Sequence, residues 1–144
     1  MSNLKLFMKK NKKVKENAFY AATRSLPDEN GAPLKWEIRP ISTRESEEMR
    51  AECTKEVPIT GKPGAFRPKV DAELFSAKMV AASVVHPDLY DKELQDSYGV
   101  KTPEDLLKEM VDNPAEYDAF IRFVMNFSGI DESMDEKVEE AKNS

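Results

Sequence analysis

The chain has 144 residues, of which 40% are hydrophobic and 34% are charged, and its formal net charge is −5 at pH 7. This size predicts one domain with its own core, and this balance of residue types is typical of soluble globular proteins. The single cysteine, Cys53, excludes a disulfide within the chain. Because neither a signal-peptide pattern nor a long apolar run is present, we predict a cytoplasmic protein without a membrane span.

The charges are distributed unevenly along the chain. Lysines dominate residues 1–15 and acids dominate residues 131–144, which we predict to be a flexible basic arm and a flexible acidic tail. Residues 16–130 between them are predicted to form a single α+β domain. Such ends are usually solvated, but a basic arm also suits nucleic acid and an acidic tail suits a basic partner. An acidic body would repel DNA, so nucleic-acid binding is the less favoured reading.

Two strands are predicted in the first third of the chain, over residues 17–23 and 34–41. The second alternates apolar and polar side chains, as a strand with one buried face does. Turn-forming residues between them, including Asn30 and Gly31, predict a hairpin with a loop longer than two residues. We therefore expect an α+β fold that is mostly helical, with an N-terminal antiparallel β-hairpin packed against four to five helices. Residues 57–59 are a candidate third strand.

Next in the chain come a charged helix, a loop and a very apolar helix. Ser42 and Glu45 have the spacing of a capping box and predict a helix that runs to about Lys55. Residues 57–68 hold three prolines and two glycines, which predicts a long loop available for contacts. Residues 70–85 are the most apolar stretch and predict the central helix of the fold, ending before Pro87.

Three further helical segments are predicted after the central helix. The first covers residues 88–98. The other two begin at Thr102 and Asn113, where a capping residue is followed by proline, a combination that favours a helix start. The last helix has an apolar face that we expect to pack on the central helix.

No group of residues in the sequence suggests catalysis or cofactor binding. The only histidine, His86, has no partner of a suitable type nearby in the sequence. Residues 61–64 lack the spacing of a phosphate-binding loop. Paired carboxylates such as Glu47 and Glu48 lie on exposed segments, where nothing raises a pKa for acid–base chemistry. We predict a non-enzymatic protein with no cofactor and no metal site.

Several stretches, taken in their order along the chain, resemble the phage tail assembly chaperones of the XkdN-like family, found in tailed phages and prophages of Gram-positive hosts. The similarity spans roughly residues 14–130. The stretches are Trp36–Ser42, Arg50–Thr54, Ala81–Leu89, Leu94–Val100 and Glu116–Phe120. The resemblance implies a protein that binds the long, helical tape measure protein and aids assembly of the tail tube protein around it, in the cytoplasm of the bacterial host.

A chaperone for a long amphipathic helix needs an apolar groove that recurs along its target, which favours a homo-oligomer. Leu74, Phe75, Met79 and Val80 of the central helix are candidates to line such a groove, and Phe66 is a candidate contact in the loop. The alternative is that the four helical residues are ordinary core. A second hypothesis for the whole chain is a small nucleic-acid-associated protein that binds through its N-terminal lysine cluster.

Overall fold

A computed structural model of the chain describes residues 3–130; the predicted acidic tail, residues 131–144, lies outside the described residues. Within the described part there are five α-helices and two antiparallel sheets, which confirms the predicted α+β, mostly helical class. The strands are β1 (Ala18–Tyr20), β2 (Trp36–Ile38), β3 (Thr54–Pro58), β4 (Phe66–Val70) and β5 (Val84–His86). The helices are α1 (Thr43–Glu52), α2 (Ala72–Ser83), α3 (Lys92–Ser97), α4 (Pro103–Met110) and α5 (Pro114–Ser128). Two short 3-10 helices, Asn3–Phe7 and Lys9–Asn11, precede them.

The first sheet contains the predicted N-terminal hairpin and one strand that the sequence did not indicate. β1 and β2 pair antiparallel, with Tyr20 opposite Trp36. β5 pairs with the other edge of β2, so the strand order is β1-β2-β5. The candidate strand at residues 57–59 overlaps β3, but β3 pairs with β4 in the second sheet and does not extend the hairpin; the third strand of the first sheet, β5, follows α2 directly. The central helix ends at Ser83 and not at residue 85, since the next residues adopt the extended backbone that β-branched side chains favour.

The second sheet is a hairpin of β3 and β4, where the sequence predicted the end of a helix, a candidate strand at residues 57–59 and a loop over residues 57–68. The predicted helix to about Lys55 ends earlier, at Glu52, because Thr54 and Lys55 belong to β3. Five residue pairs align across the hairpin, from Thr54 opposite Val70 to Pro58 opposite Phe66. The prolines and glycines that argued against a central strand are accommodated because each strand of a two-stranded ribbon has a free edge. Proline can stand at that edge without breaking the ladder. Gly61 and Gly64 have positive φ angles in the connecting turns, which only glycine adopts without strain.

The helix starts predicted from capping residues are confirmed. The Ser42 hydroxyl accepts from the backbone N–H of Glu45, and the Glu45 carboxylate accepts from the N–H of Ser42, which completes the capping box of α1. The Thr102 and Asn113 side chains cap α4 and α5 by accepting from the backbone N–H three residues further on, each before a proline in the first turn. The predicted helix over residues 88–98 is shorter, since α3 begins only at Lys92.

Helix α2 lies at the centre of the core, with α1, α4, α5 and β5 packed around it. α5 packs on it as predicted and also covers the inner face of the first sheet. There the Phe120 ring stacks on Tyr20, with ring centroids 5.3 Å apart, and meets Trp36 edge-on at 5.5 Å. Tyr20 also stacks on Phe123 at 4.3 Å. The predicted arrangement of a hairpin packed against helices is therefore confirmed, and the aromatic cluster joins the two layers.

A bidentate salt bridge joins the end of the first sheet to α1. The Arg39 guanidinium donates to both carboxylate oxygens of Glu45, at 3.0 and 2.6 Å. These hydrogen bonds from Arg39, together with the N–H of Ser42, lower the pKa of Glu45 from its ordinary 4.5 to about 2.

We predict that Glu45→Gln lowers the free energy of unfolding by about 1 kcal/mol at pH 7, because the ion pair is lost while glutamine can still close the capping box. Because folding lowers this pKa, the advantage of the wild type over the variant is full above the ordinary value of 4.5 and is lost as the pH falls toward 2. Urea unfolding of both proteins across this range measures the difference. Glu47→Gln, an exposed change on the same helix, is the control and should have little effect. An equal loss at pH 7 and near pH 2 would contradict the assignment.

Candidate partner-binding surfaces

The structure places three of the five candidate contact residues inside the core. Phe75 is 4% exposed, and Met79 and Val80 are fully buried. The guanidinium carbon of Arg50 lies 5.4 Å from the centroid of the Phe75 ring and covers it from the side of α1. In the single chain these side chains are core residues, and a partner would reach them only if the surrounding helices moved apart.

The other two candidates lie at the surface. Leu74, in the first turn of α2, is 39% exposed, and Phe66, on β4, is 59% exposed. Phe66 stands opposite Pro58 in the pair of the hairpin that is furthest from α2. Two of the residues predicted from the sequence are therefore accessible apolar side chains. The structure places them apart, with Phe66 at the start of β4 and Leu74 in the first turn of α2. Partner contact through either of them stays a prediction.

A groove that sequence reasoning missed runs between the first halves of α2 and α5, beside α4. Its volume is about 460 Å³. Its lining combines apolar and charged side chains from three helices: Ala72, Glu73, Ser76, Lys108, Tyr117, Asp118, Ile121 and Arg122. Partial burial raises the pKa of the Tyr117 hydroxyl, and the carboxylates of Asp118 and Glu73 raise it further. The Tyr117 hydroxyl lies in this groove beside the half-buried Ile121 and can donate a hydrogen bond.

A second groove, of about 780 Å³, lies between the segment after β1 and the start of α5. One of its lining residues, Glu116, makes polar contacts with the segment after β1. The Thr23 hydroxyl donates to Glu116 at 2.8 Å, and the backbone N–H of Arg24 donates to the other carboxylate oxygen at 2.9 Å. These hydrogen bonds, first that from Arg24, lower the pKa of Glu116. Because the Glu116 carboxylate already accepts hydrogen bonds from within this chain, we infer that the contact holds the segment after β1 against α5.

The N-terminal arm presents apolar side chains to solvent. Between 51% and 87% of each of these side chains is exposed. They are Leu4, Leu6, Phe7, Met8 and Val14. The arm meets the fold at Lys15, whose ammonium group donates to the carbonyl oxygen of Phe127 and lies 4.4 Å from the centroid of the Phe127 ring. Whether the arm is flexible stays a prediction.

The residues considered for chemistry are not brought together. His86 is exposed at the end of β5, and Cys53 is buried, with burial raising the pKa of its thiol. Among residues 3–130, no three His, Cys, Asp or Glu side chains are grouped so that they could hold a metal ion. In the same range, every helix is too short or too polar to cross a membrane.

Comparison with known protein families indicates that the chain belongs to a class of chaperones. The family model of the phage XkdN-like tail assembly chaperone proteins matches residues 4–142, and the chain belongs to that family. It is similar to the XkdN protein of the phage-like element PBSX of Bacillus subtilis strain 168, with 25% identity over 116 residues, covering 81% of this chain and 77% of that protein. It is also similar to the uncharacterized protein YqbN of the same strain, with 24% identity over 116 residues, covering 81% and 76%.

The fold itself has a solved counterpart. The crystal structure of the YqbN protein superposes with a TM-score of 0.73 at 20% sequence identity, covering 91% of this chain and 99% of that one. At this identity the likeness establishes the fold and carries no site residues with it. The family membership that the sequence suggested is confirmed by the family model, which matches nearly the whole chain.

Proposed function

We propose that the chain acts without catalysis, as a tail assembly chaperone that binds the tape measure protein and aids assembly of the tail tube protein around it. We place this activity in the cytoplasm of a bacterial host and expect the working form to be a homo-oligomer. The observation that carries the proposal is the match of the tail assembly chaperone family to residues 4–142. The accessible apolar side chains of the chain support it, because a chaperone must offer apolar surface to its client.

The groove beside Tyr117 and Ile121 suits one kind of client contact. A volume of about 460 Å³ is too small for a whole helix but accommodates one or two apolar side chains projecting from a helix that lies across it. Ile121 offers apolar contact, while Lys108 and Arg122 lie on the same rim as the acids Glu73 and Asp118. Charges of both signs around an apolar centre favour an amphipathic helix over a purely apolar one.

Co-expression with the tape measure protein of the same phage genome tests the proposal. We expect the tape measure protein to become more soluble and to co-purify with the chain, and unchanged solubility together with no co-purification would overturn the proposed function. Leu74→Asp and Phe66→Asp should each reduce co-purification, because a charge placed on a desolvated contact costs binding energy. The matched control is Phe19→Asp, an exposed aromatic residue on the outer face of the first sheet, which should retain full co-purification.

The dependence of DNA binding on salt concentration tests the nucleic-acid hypothesis. The arm's lysines are exposed, as an electrostatic contact to phosphate requires. Binding to duplex DNA that weakens steeply with salt and is lost on deletion of residues 1–15 would favour this hypothesis. Absence of binding at low salt would remove it.

A further inference from the structure

The hairpin of β3 and β4 has two different faces. Side chains that stand directly opposite each other in an antiparallel pair lie on one face, and successive residues alternate between the faces. One face therefore holds Thr54, Glu56, Pro58, Phe66, Pro68 and Val70. The other face, which we call the basic face, holds Lys55, Val57, Arg67 and Lys69. The hairpin is thus largely apolar on the side of Phe66 and positively charged on the opposite side.

The outer edges of the hairpin are poorly suited to pairing with a further strand. The N–H of Ile59 donates to Ala65 at 3.0 Å, so the neighbouring pair of Pro58 and Phe66 is a non-hydrogen-bonded pair. The pair that contains Pro68 lies two positions further along and is of the same kind. Both prolines therefore direct their ring nitrogens outward, and each edge lacks a donor that an added strand would need. A partner is more readily accepted on a face than on an edge.

The basic face has more positive charge than the described part of the chain neutralises. Lys55 and Lys69 stand directly opposite each other, an arrangement that costs stability. Lys55 has one ion pair, with Asp71 at 3.6 Å, whereas neither Lys69 nor Arg67 forms an ion pair within residues 3–130. Residues 54–70 contain four basic residues and one acid, in a chain with a net charge of −5. This face therefore suits an acidic partner.

An acidic surface of the chain follows the other end of α2, at residues 88–96. Its exposed carboxylates, none of which forms an ion pair within the described part of the chain, are Asp88, Asp91, Glu93 and Asp96. Tyr90, between them, is 68% exposed. Glu93 and Asp96 lie three residues apart on α3, which puts their Cβ atoms on one face at about 5–6 Å. The Cβ atoms of Lys55 and Lys69 have a similar separation of about 4.5–5.5 Å.

From these observations we propose that the basic face of one chain binds the acidic surface of residues 88–96 on a second copy of the chain. The hairpin precedes α2 and the acidic surface follows it, and the twelve residues of this helix span about 18 Å, so the contact joins two copies. Lys55 and Lys69 face the carboxylates of α3, and the Arg67 guanidinium stacks on the exposed ring of Tyr90. Nucleic acid is the less favoured occupant, because the rest of the chain is acidic.

The two surfaces differ, so the contact is head-to-tail and can repeat into a ring or a filament. The proposal gives the expected homo-oligomer a contact surface and rests on that part of the proposed function alone. Phe66 lies on the opposite face of the hairpin and stays accessible to a client.

Sedimentation velocity of the purified full-length chain, without a client and over a series of concentrations, tests the contact. We expect the wild type to self-associate, and the association to weaken toward 1 M salt, where the Debye length falls to about 3 Å. Arg67→Glu with Lys69→Glu should be monomeric, and so should Glu93→Lys with Asp96→Lys. An equal mixture of the two variants should assemble again, because each intact surface meets an intact surface and each reversed surface meets a reversed one.

Glu47→Lys with Glu48→Lys is the matched control, since it makes the same change of charge on exposed positions of α1 and should retain association. Circular dichroism checks that each variant is folded. If the α3 variant does not fold, Glu93→Gln with Asp96→Asn should still weaken association.

Several outcomes would overturn the contact. If the wild type associates but the variants associate equally well, or if the mixture of variants stays monomeric, the contact is wrong while the homo-oligomer stands. A monomeric wild type would overturn both, and co-purification of the tape measure protein tests the chaperone activity separately. Salt-sensitive binding to duplex DNA that is lost in the hairpin variant, with unchanged self-association, would assign the basic face to nucleic acid instead.

Discussion

Replacement of Phe120 by alanine is expected to lower the free energy of unfolding by about 3–5 kcal/mol, the largest loss that we predict for one residue. Phe120 is fully buried and joins the helical layer to the sheet through its contacts with Tyr20 and Trp36. Removal of the ring leaves a cavity and also removes one stacked and one edge-on aromatic contact, which add to the transfer free energy of the side chain. Urea unfolding monitored by circular dichroism at neutral pH measures the effect.

The control for this prediction is another phenylalanine in the same layer. Phe19 lies on β1, next to Tyr20, but is 64% exposed on the outer face of the sheet. Phe19→Ala should change the free energy of unfolding by about 0.5 kcal/mol or less. If the two variants lost equal stability, the described packing of α5 on the sheet would be incorrect.

Replacement of Met79 by alanine is expected to cost about 2–5 kcal/mol of stability, because the side chain is fully buried at the centre of α2. Leu74→Ala, five residues earlier on the same helix, should cost less than about 1 kcal/mol, because Leu74 is already partly in solvent. Thermal or urea unfolding of the two variants measures the contrast. Comparable losses would show that Leu74 is also a core residue.

The same pair of variants distinguishes packing from partner binding. Leu74→Ala folds with little loss of stability, so reduced co-purification of the tape measure protein by this variant would reflect a contact at the surface. If Met79 acts only as a core residue, Met79→Ala should reduce co-purification through destabilisation of the fold, and conditions that restore folding should restore binding. Equal loss of binding by both variants under conditions in which both are folded would show that a partner reaches the buried face of α2.

The elements that the sequence predicted well are those encoded by a few neighbouring residues. Ser42 with Glu45, Thr102 with Pro103 and Asn113 with Pro114 each place a side-chain oxygen where it accepts from free N–H groups of a first helical turn. Because the free energy that such a cap contributes depends on local geometry, the spacing of these residues in the sequence is enough to predict the cap. The hairpin of β1 and β2 was predictable for the same reason, since its alternating pattern and its turn lie close together in the chain.

The elements that were mispredicted depend on contacts between distant residues. Val84 and Val85 continue an apolar helical pattern, but their β-branched side chains and pairing with the free edge of β2 together favour a strand. The burial of Phe75 and Met79 likewise depends on distant elements, since α1, α4 and α5 pack around α2; partner contact through these two residues stays a prediction. The groove at Tyr117 and Ile121 needs three helices to form, so no single stretch of sequence indicates it.

The hairpin of β3 and β4 has a consequence for how the molecule is stabilised as a whole. Its side chains are almost all exposed, and its base is held by the hydrogen bond from the N–H of Asp71 to Cys53, with the weak Lys55–Asp71 ion pair beside it. A two-stranded ribbon without a buried face is only marginally stable by itself. We therefore expect a cooperative unit around α2 and a hairpin that can open while that unit stays folded. A partner that binds Phe66 would also have to offset the entropic cost of ordering the hairpin. Its affinity would therefore be lower than for a rigid site, and the hairpin would accept clients of more varied shape.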